Sequence, residues 1–372
     1  MKGHIKERPP GSGQWSIIIP HGTKRRWFSF RGTKRQAQVE CARLVAAAGS
    51  GETSTAPARL TVAAFLERWL AHMATQASPA TLVRYGSIIR SNLNPLLGST
   101  ALNKLQAEQI AQAIARMIED GLSPSSAGLA RKVLRQACEQ ASRWGLITRN
   151  PVSLTDAPKI EKRRMAVLDE DGMAALLEKA RGTDLYIPTL LAIATGMRRG
   201  EIAALRWKSV DLSTGKIQVV ASTEQIGRAI REKETKTGRE RCVILPAYAI
   251  EELQRHKRQQ PEALLRFGIR HGDDGHVCTH DGKPWPPIAL TLAFRGLLEG
   301  TGIRRLHDLR HSHATALLSA GVNLKVASER LGHSNIGMTA DLYSHVSDTM
   351  QADAASRIDE GMRKAMKRFS RP

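Results

Sequence analysis

Two stretches that no packed element could use divide this chain into three. GSGETSTAP, at Gly49–Pro57, is small and polar and reads as a linker. KIEKRR, at 159–164, reads as a charged connector. A chain of 372 residues exceeds what one hydrophobic core covers, so two or three domains are expected. The reading is 1–56, 57–160 and 161–372, and each part has its own periodicity.

The first part reads as a small β-sheet with one helix. Strands are predicted at His4 to Arg8, Gln14 to Ile19 and Arg26 to Phe30, with glycine-containing turns between them. A helix follows from Thr33, its N-cap, to Ala48, with Val39, Leu44 and Val45 among its apolar residues. Lys24, Arg25, Arg26, Arg31, Lys34 and Arg35 crowd around Trp15, Trp27, Phe28 and Phe30. A sheet face carrying arginines suits the major groove of DNA. The rival reading is a solvated basic surface over a small aromatic core.

The second part is helical throughout. Val62, Phe65, Leu66, Trp69 and Leu70 recur at helical spacing after Thr61, and Ser78-Pro79 and Ser123-Pro124 each open a further helix. With a helix at Ile110 to Ile118 this makes an all-α four-helix module. The third part is mixed α+β. Helices are predicted at 169–180, 184–195, 246–259, 286–298 and 306–320, and strands at 216–220 and 241–245, with polar sequence between the strands.

Charge narrows the function. Fifty-six Lys and Arg against 35 Asp and Glu give a net charge of +21, which favours a polyanionic partner such as nucleic acid. Cys41, Cys138, Cys242 and Cys278 are far apart, which argues against a disulfide framework and fits a reducing cytosol. No apolar run approaches a membrane span, so a cytoplasmic protein is expected.

Four clusters could carry chemistry. TGMRRGE, Thr195 to Glu201, places glycines around an arginine pair, a turn that can hold an arginine at a helix start facing an anion, with Glu201 in support. LHDLRH, Leu306 to His311, puts His307 and Arg310 three apart on one helix face, suited to phosphate. Zinc is the rival there, since His307 and His311 stand at i and i+4, but Asp308 replaces the usual glutamate and Arg310 would adjoin the cation. His271, His276, Cys278 and His280 read as a Gly–Asp-rich surface loop, and no metal is expected. KETKTGRER, Lys233 to Arg241, offers a hairpin lysine that could protonate a leaving oxygen: Lys236 first, Lys233 second. LGHSNIGMTADLYSH, Leu331 to His345, sets His333 ten residues before Tyr343, one of four tyrosines in the chain. A tyrosine among Asp341, Ser344 and His345 is a candidate nucleophile toward phosphate.

Taken in order, TGMRRGE, the hairpin KTG, HDLR, LGHS and DLYSH resemble the tyrosine recombinase family, specifically phage-type integrases, from about 165 to 346. The four-helix part resembles that family's core-binding domain and the N-terminal sheet its arm-binding domain. The resemblance implies that Arg198 and Arg310 clamp a scissile phosphate and that His307 and His333 hydrogen-bond to it. Lys236 would protonate the departing 5′ oxygen, Glu201 would support the site, and Tyr343 would attack to give a 3′-phosphotyrosine. It implies double-stranded DNA with attachment sites as partner, a homo-tetramer on paired sites, and a DNA-bending protein and an excisionase as accessories. No cofactor is implied. Met350, Ala354, Ile358, Met362 and Met366, at steps of four, read either as an amphipathic helix packed on its own domain or, as the resemblance implies, as a tail docking on a neighbouring subunit, which is the favoured reading. A type IB topoisomerase and a non-catalytic DNA-binding protein are the competing readings.

Overall fold

The computed structural model describes residues 4–21, 24–49, 60–161, 166–234, 241–270, 272–333, 335–337, 339–340, 355–356 and 358–366. Of the residues singled out above, Lys236, His271, Asp341, Tyr343, Ser344 and His345 lie outside this set, as do linker residues 50–57 and much of the tail. The chain divides into two compact units, Met1–Lys162 and Arg163–Pro372.

The first unit begins with an antiparallel meander of β1 (His4–Glu7), β2 (Gln14–His21) and β3 (Lys24–Arg31), in which Trp15 pairs with Phe30 and Ile17 with Phe28. Alternation puts Ile17 and Ile19 on the face covered by α1 (Lys34–Gly49), where Cys41, Leu44 and Val45 meet Phe28 and Phe30. Thr33 caps α1 as expected, its Oγ1 accepting from the Gln36 N–H at 3.3 Å. Val39 sits on the outer side of α1, 65% exposed, and takes no part in this core.

Three helices of the helical part start where hydroxyl residues cap them. Thr61, Ser78 and Ser123 open α2 (Val62–Met73), α3 (Pro79–Ile88) and α6 (Pro124–Arg143), with Pro79 and Pro124 in the first turn. The second predicted helix is longer than its motif. α3 continues through a π-helical turn, Ile89–Leu93, into α4 (Asn94–Leu97). Pro95 has no N–H to donate to the preceding turn, and a wider turn is how the helix passes it. With α5 (Ala107–Glu119) these elements enclose a core of Phe65, Leu66, Trp69, Leu93, Ile110 and Leu134.

In the second unit α7 (Glu170–Ala180) and α8 (Tyr186–Thr195) lead to α9 (Arg199–Ala204). A three-stranded antiparallel sheet follows in the order β4 (Val210–Asp211), β5 (Lys216–Val219), β8 (Arg241–Ile244). The two strands expected from sequence, β5 and β8, pair directly, Ile217 opposite Val243. The polar sequence between them is a second hairpin, β6 (Ala221–Ile226) with β7 (Ala229–Glu234), turning at Gly227-Arg228. Gly227 has φ +59°, which suits the first loop position of a two-residue hairpin. This corrects the placement of Lys233, which lies within β7 rather than at a hairpin tip. The hairpin escaped the sequence reading because neither of its faces is apolar enough to alternate.

The remaining helices are α10 (Ala247–Leu265), α11 (Pro287–Leu298), α12 (Leu306–Ser319) and α13 (Leu324–Leu331), with a small ribbon of β9 (Thr279–His280) and β10 (Lys283–Pro284). α10 runs through Pro261, past the expected end at 259. Leu190, Ile202, Trp207, Ile217, Leu253, Phe294 and Leu309 form the core, and Trp207 satisfies its ring N–H on Gln260 Oε1 at 2.6 Å.

Candidate active site

α8 ends on Gly196, whose φ of +63° turns the chain sharply toward α9. A Cβ there would meet His313 Cδ2 and Leu331 Cδ2, each at 2.7 Å, so the turn and these two residues are packed to glycine. Gly200 is held as closely, since its Cβ would lie 2.4 Å from Ser222 Oγ and 2.5 Å from the Thr223 carbonyl oxygen of β6. The two glycines of TGMRRGE thus let α9 press against both the helical layer and the hairpin. Arg198, at the N-cap of α9, is placed by that packing.

Glu201 is the hub beneath it. The carboxylate is 2% exposed and accepts from the Arg198 backbone N–H at 2.7 Å and from Arg198 Nη1 at 2.9 Å. Arg241, the first residue of β8, grips it with both terminal nitrogens at 2.9 and 2.6 Å. Burial alone would raise the Glu201 pKa, but the Arg241 hydrogen bonds and charge, with those of Arg198, bring it down to about 2. Arg241 was missed by sequence reasoning. No local signal marks it, because its role comes from the approach of β8 to Glu201.

α12 carries the second cluster. Asp308 accepts from the backbone N–H groups of Arg304 and Arg305 at 3.1 and 3.0 Å, which fixes the start of the helix and explains the aspartate in HDLR. Arg310 is 2% exposed, and its terminal nitrogens donate to the carbonyls of Gly196 at 2.6 Å and Leu331 at 2.5 Å. Burial first, then the charge of Arg198, pushes its pKa down to about 9 despite Glu201. Two of the five donors of its fork are used in these bonds, which leaves capacity for an anion. His307 stands exposed at the start of α12, its ring 4.8 Å from that of His311. Desolvation, then His311 and Arg310, bring His307 down to about 4, so it is neutral at pH 7.

α13 ends on Gly332, with φ +66°, and this turn presents both its carbonyl and His333. Arg198 Nη2 donates to the Gly332 oxygen at 2.7 Å, while Arg241 Nε donates to the Arg330 oxygen at 3.0 Å. His333 Nδ1 pairs with Thr339 Oγ1 at 2.8 Å, which leaves Nε2 for a ligand. Burial lowers its pKa first and the charges of Arg310 and Arg198 follow, to about 4. The structure therefore brings Arg198, Glu201, His307, Arg310 and His333 together, with two cationic forks and two neutral imidazoles around one place. That set can bind a doubly coordinated oxyanion and stabilise charge developing on it.

The other candidates lie elsewhere or outside the described residues. Lys233 is ion-paired with Glu224 across the hairpin. Arg31, Lys34 and Arg35 are exposed, and the side chains of Lys24, Arg25 and Arg26 are outside the description. Cys278, expected in a surface loop, is buried because Val277 N–H bonds to the Leu205 carbonyl at 2.8 Å and draws the segment into the core. His280 instead pairs with Asp184 at 2.7 Å and stacks on Trp285. In the tail Ile358, Met362 and Met366 are exposed.

Known proteins share the sequence family and the fold of this chain. Residues 166–350 match the model of the phage integrase family, and residues 61–118 match that of the phage integrase N-terminal SAM-like domain. A tyrosine recombinase XerC-like protein of Caldanaerobacter subterraneus is 26% identical, aligned over 81% of this chain and 83% of its own. The Tn1549 transposon integrase, solved with transposon right end DNA, superposes with a TM-score of 0.69 at 21% identity over 81% of this chain and all of that one. A lambda integrase dimer bound to a COC' core site gives 0.61 at 21% identity, over 91% of this chain and 96% of that one. With motifs, fold and both family models in agreement, the chain belongs to the phage integrase family of tyrosine recombinases.

Proposed function

We propose that this chain is a site-specific DNA recombinase that integrates or excises a phage or other mobile element through a 3′-phosphotyrosine intermediate. The observation that carries the reading is the convergence of Arg198, Arg310, His307 and His333, with Glu201 buried behind them.

In the proposed step the Tyr343 oxygen attacks the scissile phosphorus and forms a P–O bond as the bond to the 5′ oxygen breaks. The phenol proton leaves to a neighbouring base, and Lys236 gives a proton to the 5′ oxygen, so the step needs no redox partner. A free tyrosine titrates near about 10, so a cationic surrounding is needed to make phenolate accessible. Arg198 and Arg310 supply it, and they act most strongly on the charge gathering on the non-bridging oxygens. His307 and His333, neutral before DNA arrives, offer one donor or acceptor each. The incoming diester carries the negative charge that would raise their affinity for a proton. Rejoining reverses the roles and conserves the phosphodiester energy.

The same reading assigns 1–56 to arm-type DNA contact through Lys24, Arg25, Arg26, Arg31, Lys34 and Arg35, and 57–160 to the core site. It assigns 161–372 to catalysis as a tetramer on two paired sites, in the cytosol of a cell. The extent of the fold likeness to lambda integrase, 91% of this chain, supports the first assignment, and the SAM-like match at 61–118 the second.

The test is a suicide substrate, nicked near the cleavage point of the attachment site, incubated with the full chain in EDTA. A covalent protein–DNA adduct on a denaturing gel, absent in Tyr343→Phe while DNA binding persists, is the expected result. No adduct with the wild type on verified site DNA would overturn the reading.

A further inference from the structure

We propose that Arg241 is a positioning residue of the strand-cleavage centre, which fixes the Arg198 guanidinium through Glu201 and the His333 turn through the Arg330 carbonyl. The proposal rests on the recombinase reading above and adds to it a residue outside the set implied by the sequence motifs.

Four N–H groups meet on the single buried carboxylate of Glu201, and two of them belong to Arg241. The Arg241 Nε points a third bond the other way, to the Arg330 oxygen at 3.0 Å. Two residues further on, Gly332 accepts from Arg198 at 2.7 Å. A Cβ on Gly332 would come within 2.9 Å of Arg241 Nη1, so the turn before His333 is fitted against this guanidinium. Arg241 also opens β8, five positions after Lys236. One side chain, 10% exposed, therefore ties the arginine turn, the histidine turn and the strand that follows the lysine segment.

Stability alone is a poor account of it, because a buried ion pair is often no better than a packed apolar pair. What only arginine supplies is a rigid planar fork that serves a carboxylate on one edge and a carbonyl on another. A lysine keeps the charge but cannot hold both at once. Arg241 acts on the phosphate only through Arg198, so its loss should be felt as misplacement of that clamp.

The test uses Arg241→Lys and Arg241→Met in the full chain. Suicide substrates carry either the ordinary scissile phosphodiester or a methylphosphonate at that position, which replaces the charged non-bridging oxygen by a methyl group and makes the diester neutral. The expected result is DNA binding and thermal transition near wild type for Arg241→Lys, with adduct formation slower by about 10²-fold on the phosphodiester. The loss should be markedly smaller on the methylphosphonate, for both variants. Wild-type rates would overturn the proposal. So would equal losses on the two substrates, or loss of binding and folding in both variants, since either means a structural role. A wild type that forms no Tyr343 adduct on either substrate would instead sink the recombinase reading itself, which keeps the two failures apart.

Discussion

Replacing Glu201 by glutamine probes the hub with almost no change of shape. In the folded chain its carboxyl is held at about 2 against an ordinary 4.5, although the residue is only 2% exposed. At about 1.36 kcal/mol per pH unit, that drop makes the ionised form about 3 kcal/mol more favourable in the folded state than in the unfolded one. Glu201→Gln removes the charge and one acceptor, and leaves Arg241 buried beside an amide N–H. A loss of about 3 kcal/mol at pH 7 is expected, within the range for breaking a buried ion pair, or roughly 6–12 °C in a unit of this size. The sign with pH follows from the lowered pKa. The contribution is complete above 4.5 and drains as pH falls toward about 2, because the unfolded chain takes up the proton first. Calorimetry of the full-length wild type and variant should therefore show a gap that shrinks to less than half by about pH 3. A gap below about 1 kcal/mol at pH 7, or one that does not narrow on acidification, would refute the reasoning.

Two further outcomes follow from the same packing. Gly200→Ala would drive a methyl group into Ser222 Oγ and the Thr223 carbonyl, so α9 must part from β6. A loss of about 1–3 kcal/mol in thermal unfolding is expected, with slower adduct formation on suicide DNA. His313 is buried, and burial, with Arg330 beside it, pushes its pKa down to about 4. Stability should therefore fall as pH drops from 6.5 toward 4, where the unfolded chain binds the proton that the folded one refuses. In His313→Gln, followed by acid titration with circular dichroism, that part of the slope should disappear.

Much of this could be read from the residues because the informative ones punctuate. Hydroxyl caps, followed by proline at α3 and α6, located α2, α3 and α6 within a residue or two, and the glycines around Arg198 announced a turn before a helix. The β6–β7 hairpin stayed hidden, since both of its faces are polar and alternation then carries no signal. Arg241 stayed hidden for a different reason. In a chain with 56 basic residues, nothing local separates an arginine on the surface from one that holds a buried carboxylate. That distinction belongs to the long-range approach of β8 to α9, which periodicity does not report. Cys278 was misplaced in the same way, by a backbone bond to Leu205 that no neighbouring residue reveals.

The bonds that hold the arginines have one more consequence. Arg310 is moored to the oxygens of Gly196 and Leu331, Arg198 to that of Gly332, Arg241 to that of Arg330, and Arg330 to that of Ala194. Every one of these anchors is a peptide oxygen, a group that point mutation does not remove. Only the turns that aim those oxygens must persist, and at Gly196 and Gly332 that comes down to leaving a hydrogen where other residues carry a side chain. Glu201, which holds Arg198 and Arg241 by a side chain, is the exception; the other moorings are insulated from drift in the amino acids around them.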